Sequence, residues 1–244
     1  MIRWLAVIFL IVTACSTTYY VPNARNVPMF SSKKEFQATG SYQISLLDFS
    51  QGGHLQTAYS FTDHFGAMAN VGFSRKKFSN EILAGHIGEI GVGYFKSSEK
   101  LYYDFFAGYG IGKGKGGEEA FSIPELSNAR ISTRTTADFY RVFLQPSIAF
   151  RTKRITLSFA LRASMVHFNN TTTDLLTQEI IYSVRQPVYY FEPTFTMVGS
   201  ISKRFKLLYQ TGYNITRDIE TIDNIFSFSL GVRYLLSPKI LIVK

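Results

Sequence analysis

ITLSFALRASMV, residues 155–166, alternates with period two: Ile155, Leu157, Phe159, Leu161, Ala163 and Met165 on one side, Thr156, Ser158, Ala160, Arg162, Ser164 and Val166 on the other. Successive side chains of a strand point to opposite faces, so this stretch reads as a strand with one apolar face and one small, mostly polar face. The pattern recurs from Glu35 onward in ten segments, near residues 36–44, 55–61, 65–74, 89–94, 102–111, 140–150, 155–166, 190–197, 206–214 and 226–234. Pro146 and Pro193 interrupt two of them, and a proline that cannot donate to a ladder predicts a bulge or strand end at each.

The strand charges sort by face. Glu89, Asp104, Arg141, Arg162, Glu192, Lys206 and Arg233 all stand opposite the apolar side, among Gly, Ser, Thr, Ala and Gln. A solvated outer face would carry many Lys and Glu. A crowded lumen needs small residues with a few paired charges, and aromatics near strand ends fit the interfacial girdles of a membrane barrel. The expectation is all-β: a closed antiparallel transmembrane barrel of about ten strands, preferred over a soluble β-barrel. Counted from the short-turn end, Arg162 lies seven residues above Ile155 and Glu192 seven above Gly199, which predicts that the two meet inside.

Connections alternate in length. Thr62–His64, Ser97–Lys100, Thr152–Arg154 and Ser200–Arg204 are short; Leu46–Gly53, Arg75–Leu83, Lys113–Thr136, Asn169–Val188 and Ile215–Asn224 are longer. Bacterial barrels keep short turns in the periplasm and longer loops outside, which puts the start of the first strand on the periplasmic side.

Composition excludes other classes. The 244 residues are 16% aromatic with 7 Pro, incompatible with disorder or collagen. The longest apolar run, Trp4–Val12, is too short for a helix that needs about 20 residues to cross a bilayer. One Cys precludes a disulfide framework and, with scattered His, a metal cluster.

Arg3 followed by Trp4–Val12 forms the n- and h-regions of a secretory signal, and Val12-Thr13-Ala14-Cys15 closes it with the chain's single Cys. These four residues resemble the lipobox of bacterial lipoproteins. That resemblance implies cleavage after residue 14, diacylation (palmitate) of Cys15 and, with no Asp following it, export to the outer membrane with a periplasmic anchor. The expected organisation is a signal peptide at 1–14, an extended periplasmic tether at 15–34, a barrel at 35–235 and a tail at 236–244. The processed chain carries 25 basic and 17 acidic residues, net +8.

Asn26–Phe30 with Glu35–Ala38, Tyr59–Gly66 and Phe228–Tyr234 are similar to the first-strand entry, first periplasmic hairpin and C-terminal assembly signal of small outer-membrane β-barrel proteins with lipoprotein signals, of the kind found in Bacteroidota-type bacteria. The likeness implies location and a barrel-assembly partner, not an activity. It departs in continuing ten residues past Tyr234.

Chemistry is sparse. Gly112–Gly117 matches G-x-G-x-x-G, but no helical pattern follows to receive a pyrophosphate, so it reads as a basic loop. The barrel shape with His near the rim (His54, His86, His167) resembles omptin proteases and lipid A deacylases, but the spacings of paired acids or of a His with a downstream Ser are missing; His64 falls in a turn. Basic residues are dispersed, which argues against nucleic acid; Arg75-Lys76-Lys77, Lys113 and Lys115 could meet lipopolysaccharide. The expectation is a monomer in contact with outer-membrane lipids, with no cofactor, no metal and no catalytic residue assigned. Its role is structural or surface-interacting; a rim enzyme or a narrow pore is the alternative. The luminal charges form the candidate site: Glu89, Asp104, Arg141, Arg162, Glu192, Lys206 and Arg233.

Overall fold

The computed structural model describes residues 23–46, 50–78, 81–119, 132–174, 177–216 and 226–237. Eleven strands form one antiparallel sheet: β1 Phe36–Ser45, β2 Gln51–Ser60, β3 Phe65–Phe78, β4 Glu81–Ser97, β5 Leu101–Glu119, β6 Ser132–Arg151, β7 Ile155–Asp174, β8 Ile180–Ser200, β9 Phe205–Tyr213, β10 Ile215–Thr216 and β11 Phe226–Leu236. Short β10 continues β9 past Asn214 and pairs with β8, so the wall has ten staves. Each stave pairs with its sequence neighbours, and β1 pairs with β11 over Phe36↔Leu236 to Ser45↔Ser227, which closes the ring. A closed ring leaves no unpaired edge to satisfy within hydrocarbon.

The two faces separate as the alternation requires. Leu55, Val71, Ile90, Val92, Ile111, Phe159 and Leu230 stand exposed on the outer wall, while Gln56, Asn70, Glu89, Arg141, Gln145 and Thr196 are buried inside. Tyr59, Phe65, Tyr94, Tyr103, Phe105, Phe150 and Phe205 stand outward near the short-turn end, at girdle height. The inward face also needs room. At Gly108 a Cβ would lie 2.3 Å from the Phe143 ring, so a bare backbone there lets the ring lie flat against the inner wall.

The strands run straight through both prolines, which corrects the expected bulges. Pro146 keeps its place opposite Phe105, and the β6–β7 ladder omits only Gln145 and Pro146 with the register unchanged on either side. Pro193 pairs with Leu161, and the ladder toward the next stave is interrupted there, at the Asn214 break. In both places the interruption lies on one side of the proline only, so the missing donor costs one local gap and no extra residue. The expected basic loop at Gly112–Gly117 is also strand, the outer part of β5.

A second correction concerns the tether. Residues 15–22 lie outside the described residues, as do the signal region and most of the tail, but residues 23–30 are all buried within the barrel. The chain descends the lumen, turns at 32–34 with Lys34 at φ 59° and ascends as β1. Contacts mark the descent: Asn23 with Glu89, Ala24 with Gln56, Asn26 with Asn70 and the Thr57 carbonyl, Met29 with Asp104, Lys34 with the Ser60 carbonyl. Eight strands already make an interior that side chains fill, and ten make a wider one. With Gly, Ser and Thr lining it, the space is completed by this segment.

Candidate functional site

The lumen is layered. At the short-turn end Val27 and Met29 pack with Tyr102, Ala149, Ala160, Val198 and Leu208, and Phe30 packs with Ala58, Met68, Phe95, Phe106 and Phe143. Phe30 and Phe95 rings meet at 5.1 Å, and Gly66 leaves the space in which Phe30 sits. Toward the long-loop end a further apolar cluster comprises Ile87, Ala137, Phe139, Val166, Phe168, Val188 and Tyr190. Between these layers lie the charges.

Register places four of them together. Arg162 stands opposite Glu192 across β7–β8, and Glu89 and Arg141 each stand beside Gly110 of β5. Arg141 donates to Glu89 and lies 3.5 Å from Glu192; Arg162 reaches Glu89 at 3.3 Å and Glu192 at 4.0 Å. Arg25, from the N-terminal segment, is the fifth member, with Nε 3.3 Å from Glu192 and a hydrogen bond donated to Asn214. All five side chains are 0–1% exposed.

Three guanidiniums and two carboxylates leave this layer one positive charge in excess. Neutral groups absorb the remaining donors and acceptors. Asn23 donates to Glu89 at 2.7 Å and accepts from Arg141 at 2.8 Å, bridging an ion pair. Gln145 accepts from Arg162 at 2.9 Å and donates to the Asn26 carbonyl at 2.7 Å. Gln210 donates to the Arg25 carbonyl and accepts from its amide. The Arg162 guanidinium also lies 4.3 Å from the centre of the Phe143 ring, a cation–π contact. Away from water, such a layer persists only when its members are paired, and here the N-terminal segment supplies part of the pairing.

The other sequence-derived candidates lie apart. Asp104 accepts from the Met29 amide at 3.0 Å and from Ser147 at 3.3 Å. Arg233 donates to Thr39 at 3.1 Å and to the Val27 carbonyl at 3.2 Å. Both therefore clamp the descending segment. Lys206 lines a cavity of about 750 Å³ at the short-turn mouth with Arg151, Lys203 and several serines. Arg25, Asn23, Asn26 and Gln145 were not singled out from sequence. The signal available was Val27, Met29 and Phe30, three large apolar residues inside what otherwise resembled a solvated linker.

The histidines do not converge. Only His54 is buried inward; His86 is exposed on the outer wall, and His167 stacks on lipid-side Tyr140 at 5.0 Å. His64 stacks on Tyr94 at 5.6 Å beside a turn. Among the described residues no ion pair includes a histidine, and no group of three or more His, Cys, Asp or Glu could hold a metal.

No family model matches the chain, and no curated protein matches it in sequence. Solved structures do resemble it. The outer membrane protease OmpT from Escherichia coli aligns at TM-score 0.54 and 9% identity, over 82% of this chain and 93% of that one. The translocator domain of the autotransporter NalP from Neisseria meningitidis aligns at 0.49 and 10%, over 82% and 86%. Ail, the attachment invasion locus protein of Yersinia pestis, aligns at 0.37 and 14%, over 84% and 99%. The fold is that of bacterial outer-membrane β-barrels. Identity this low carries architecture only, and a fold does not fix an activity.

Proposed function

We propose that this protein is an outer-membrane barrel lipoprotein, acylated on Cys15, that acts as a structural or surface-interacting element and not as a channel. The observation that carries the reading is the filled lumen: residues 23–30 are buried in it, and Arg25 is ion-paired to Glu192 in its charged layer. A water-filled passage needs a continuous polar route. Here apolar clusters lie on both sides of the charges. The rim-enzyme alternative lacks a convergent His and carboxylate set among the described residues. Bilayer lipids, with lipopolysaccharide at the outer end, would contact the exposed wall, and the assembly machinery would read β11.

Planar-bilayer recording tests the closed lumen. The intact protein should give no single-channel steps, and deletion of residues 19–30 should produce them. Steady conductance through the intact protein would move the pore reading to first place. Palmitate incorporation that vanishes in Cys15→Ala tests the anchor separately.

A further inference from the structure

The short-turn mouth gathers charge that the described residues do not pair. Arg151 at the end of β6, Lys203 in the β8–β9 turn and Lys206 at the start of β9 line the cavity of about 750 Å³ there, with one carboxylate, Glu99. Among the described residues no ion pair includes any of these four. We propose that this cavity binds a phosphate group, carried by a soluble ester or by a lipid headgroup, with Arg151 and Lys206 as its principal ligands.

Register assembles the cations. The alternation that turns Phe150 and Phe205 outward turns Arg151 and Lys206 inward. Lys206 stands across its two ladders from Ser200 of β8 and Arg233 of β11. Arg151 is held in place: its amide donates to the Lys100 carbonyl at 2.7 Å, and its guanidinium lies 4.1 Å from the centre of the Tyr102 ring. Stacking on a ring fixes the plane of a guanidinium without using the in-plane N–H groups that grip a phosphate as a fork.

The inner end of the cavity is closed by the inserted segment. A space of about 10 Å³, room for a single water, lies at that end, shares Arg151, Lys206 and Leu235, and is otherwise bounded by residues that include Pro28, Met29, Glu35 and Arg233. At that level Glu35 and Arg233 are one charge of each sign. Glu35 is already engaged, accepting from the Ser31 amide and hydroxyl and from the Gln37 side chain. The mouth keeps its own balance, three cations against one carboxylate, two positive charges in excess.

That balance selects the ligand. A phosphate monoester carries nearly two negative charges and three strong acceptor oxygens, whereas a single carboxylate would answer only one of the two charges. Hydroxyls supply further donors: Ser202 at the rim accepts from the Arg204 and Phe205 amides, which leaves its own proton to give. The volume falls within the range of about 300–1,000 Å³ usual for small-molecule sites.

Titration calorimetry with inorganic phosphate on the folded, detergent-purified full chain tests the site. Saturable binding at physiological salt is expected, weakened roughly tenfold in Arg151→Gln and in Lys206→Gln. Arg151→Lys, which keeps the charge without the fork, should fall between. Lys153→Gln, exposed in the β6–β7 turn and outside the cavity, should bind like the parent. Lys203→Gln lies in an exposed turn, so its loss of affinity reads the site even where a strand variant fails to fold. Absence of saturable binding, or an equal fall in Lys153→Gln, overturns the proposal. Repetition in phosphatidylcholine vesicles with and without phosphatidylglycerol separates the two sources. Affinity suppressed by phosphatidylglycerol means that a lipid headgroup holds the site; unchanged affinity assigns it to a soluble phosphate. None of these readouts is a conductance, so the closed lumen is tested apart from them.

Discussion

The two apolar layers of the lumen differ in how they are completed. At the short-turn end the barrel contributes rings and small residues alike, Phe95, Phe106 and Phe143 beside Ala58, Ala149 and Ala160, and the inserted segment packs Val27, Met29 and Phe30 among them. At the long-loop end the barrel supplies its own rings, Phe139, Phe168 and Tyr190. One layer takes in the N-terminal segment; the other, among the described residues, is formed by the wall alone. The charged layer between them is shared, with Glu89, Arg141, Arg162 and Glu192 from the wall and Arg25 from the segment.

If the shared layer is the keystone, cutting it should have the largest effect. Glu89→Ala takes a carboxylate from Arg141, Arg162 and Asn23 at once and leaves three guanidiniums to Glu192 alone, and losing one partner of a buried ionic group costs about 3–5 kcal/mol. Urea unfolding of the liposome-reconstituted barrel should show that loss, and Glu192→Ala a comparable one. Glu99→Ala, exposed in the β4–β5 turn, should change stability by less than about 0.5 kcal/mol.

The short-turn layer comes next. Phe30→Ala empties a site completely enclosed by Ala58, Phe95, Phe106 and Phe143, with an expected cost of about 3 kcal/mol. If the segment merely rests in the lumen, that substitution should be nearly silent. Gly66→Ala approaches the same contact from the wall, because its new methyl would meet the Phe30 ring; roughly 1–3 kcal/mol is expected, with rescue when Phe30 is shortened to Leu in the same protein. Smallest of all should be Asp63→Asn. Its pairing with Lys33 at 3.7 Å is exposed on both sides, and an exposed pair contributes at most about 1 kcal/mol that salt screens.

Sequence made the wall legible because a membrane barrel imposes period two on both faces. Phe228, Leu230 and Val232 cannot exchange with Ser229, Gly231 and Arg233 without putting a guanidinium into lipid. It made the Arg162–Glu192 juxtaposition legible too, since register in a sheet is counting. It concealed the inserted segment for the converse reason. Residues 23–30 touch side chains from several staves and belong to no ladder, so no periodicity marks them. Asn23, Asn26 and Pro28 have the composition of a linker, and their buried role depends on partners such as Glu89 and Asn70, more than forty residues away. The prolines misled in a simpler way. Pro146 and Pro193 sit where one neighbouring ladder is already broken, a fact about adjacent strands that no single strand reveals.

The segment between residues 23 and 34 also constrains the order of events in biogenesis. It precedes β1 directly, and β1 forms the closing seam with β11 at the other end of the chain. A finished cylinder could admit Arg25 only by drawing its charge past an apolar ring, at either end. A peptide in place before Phe36 and Leu236 meet avoids that passage, and closing the seam then encloses cargo already aboard.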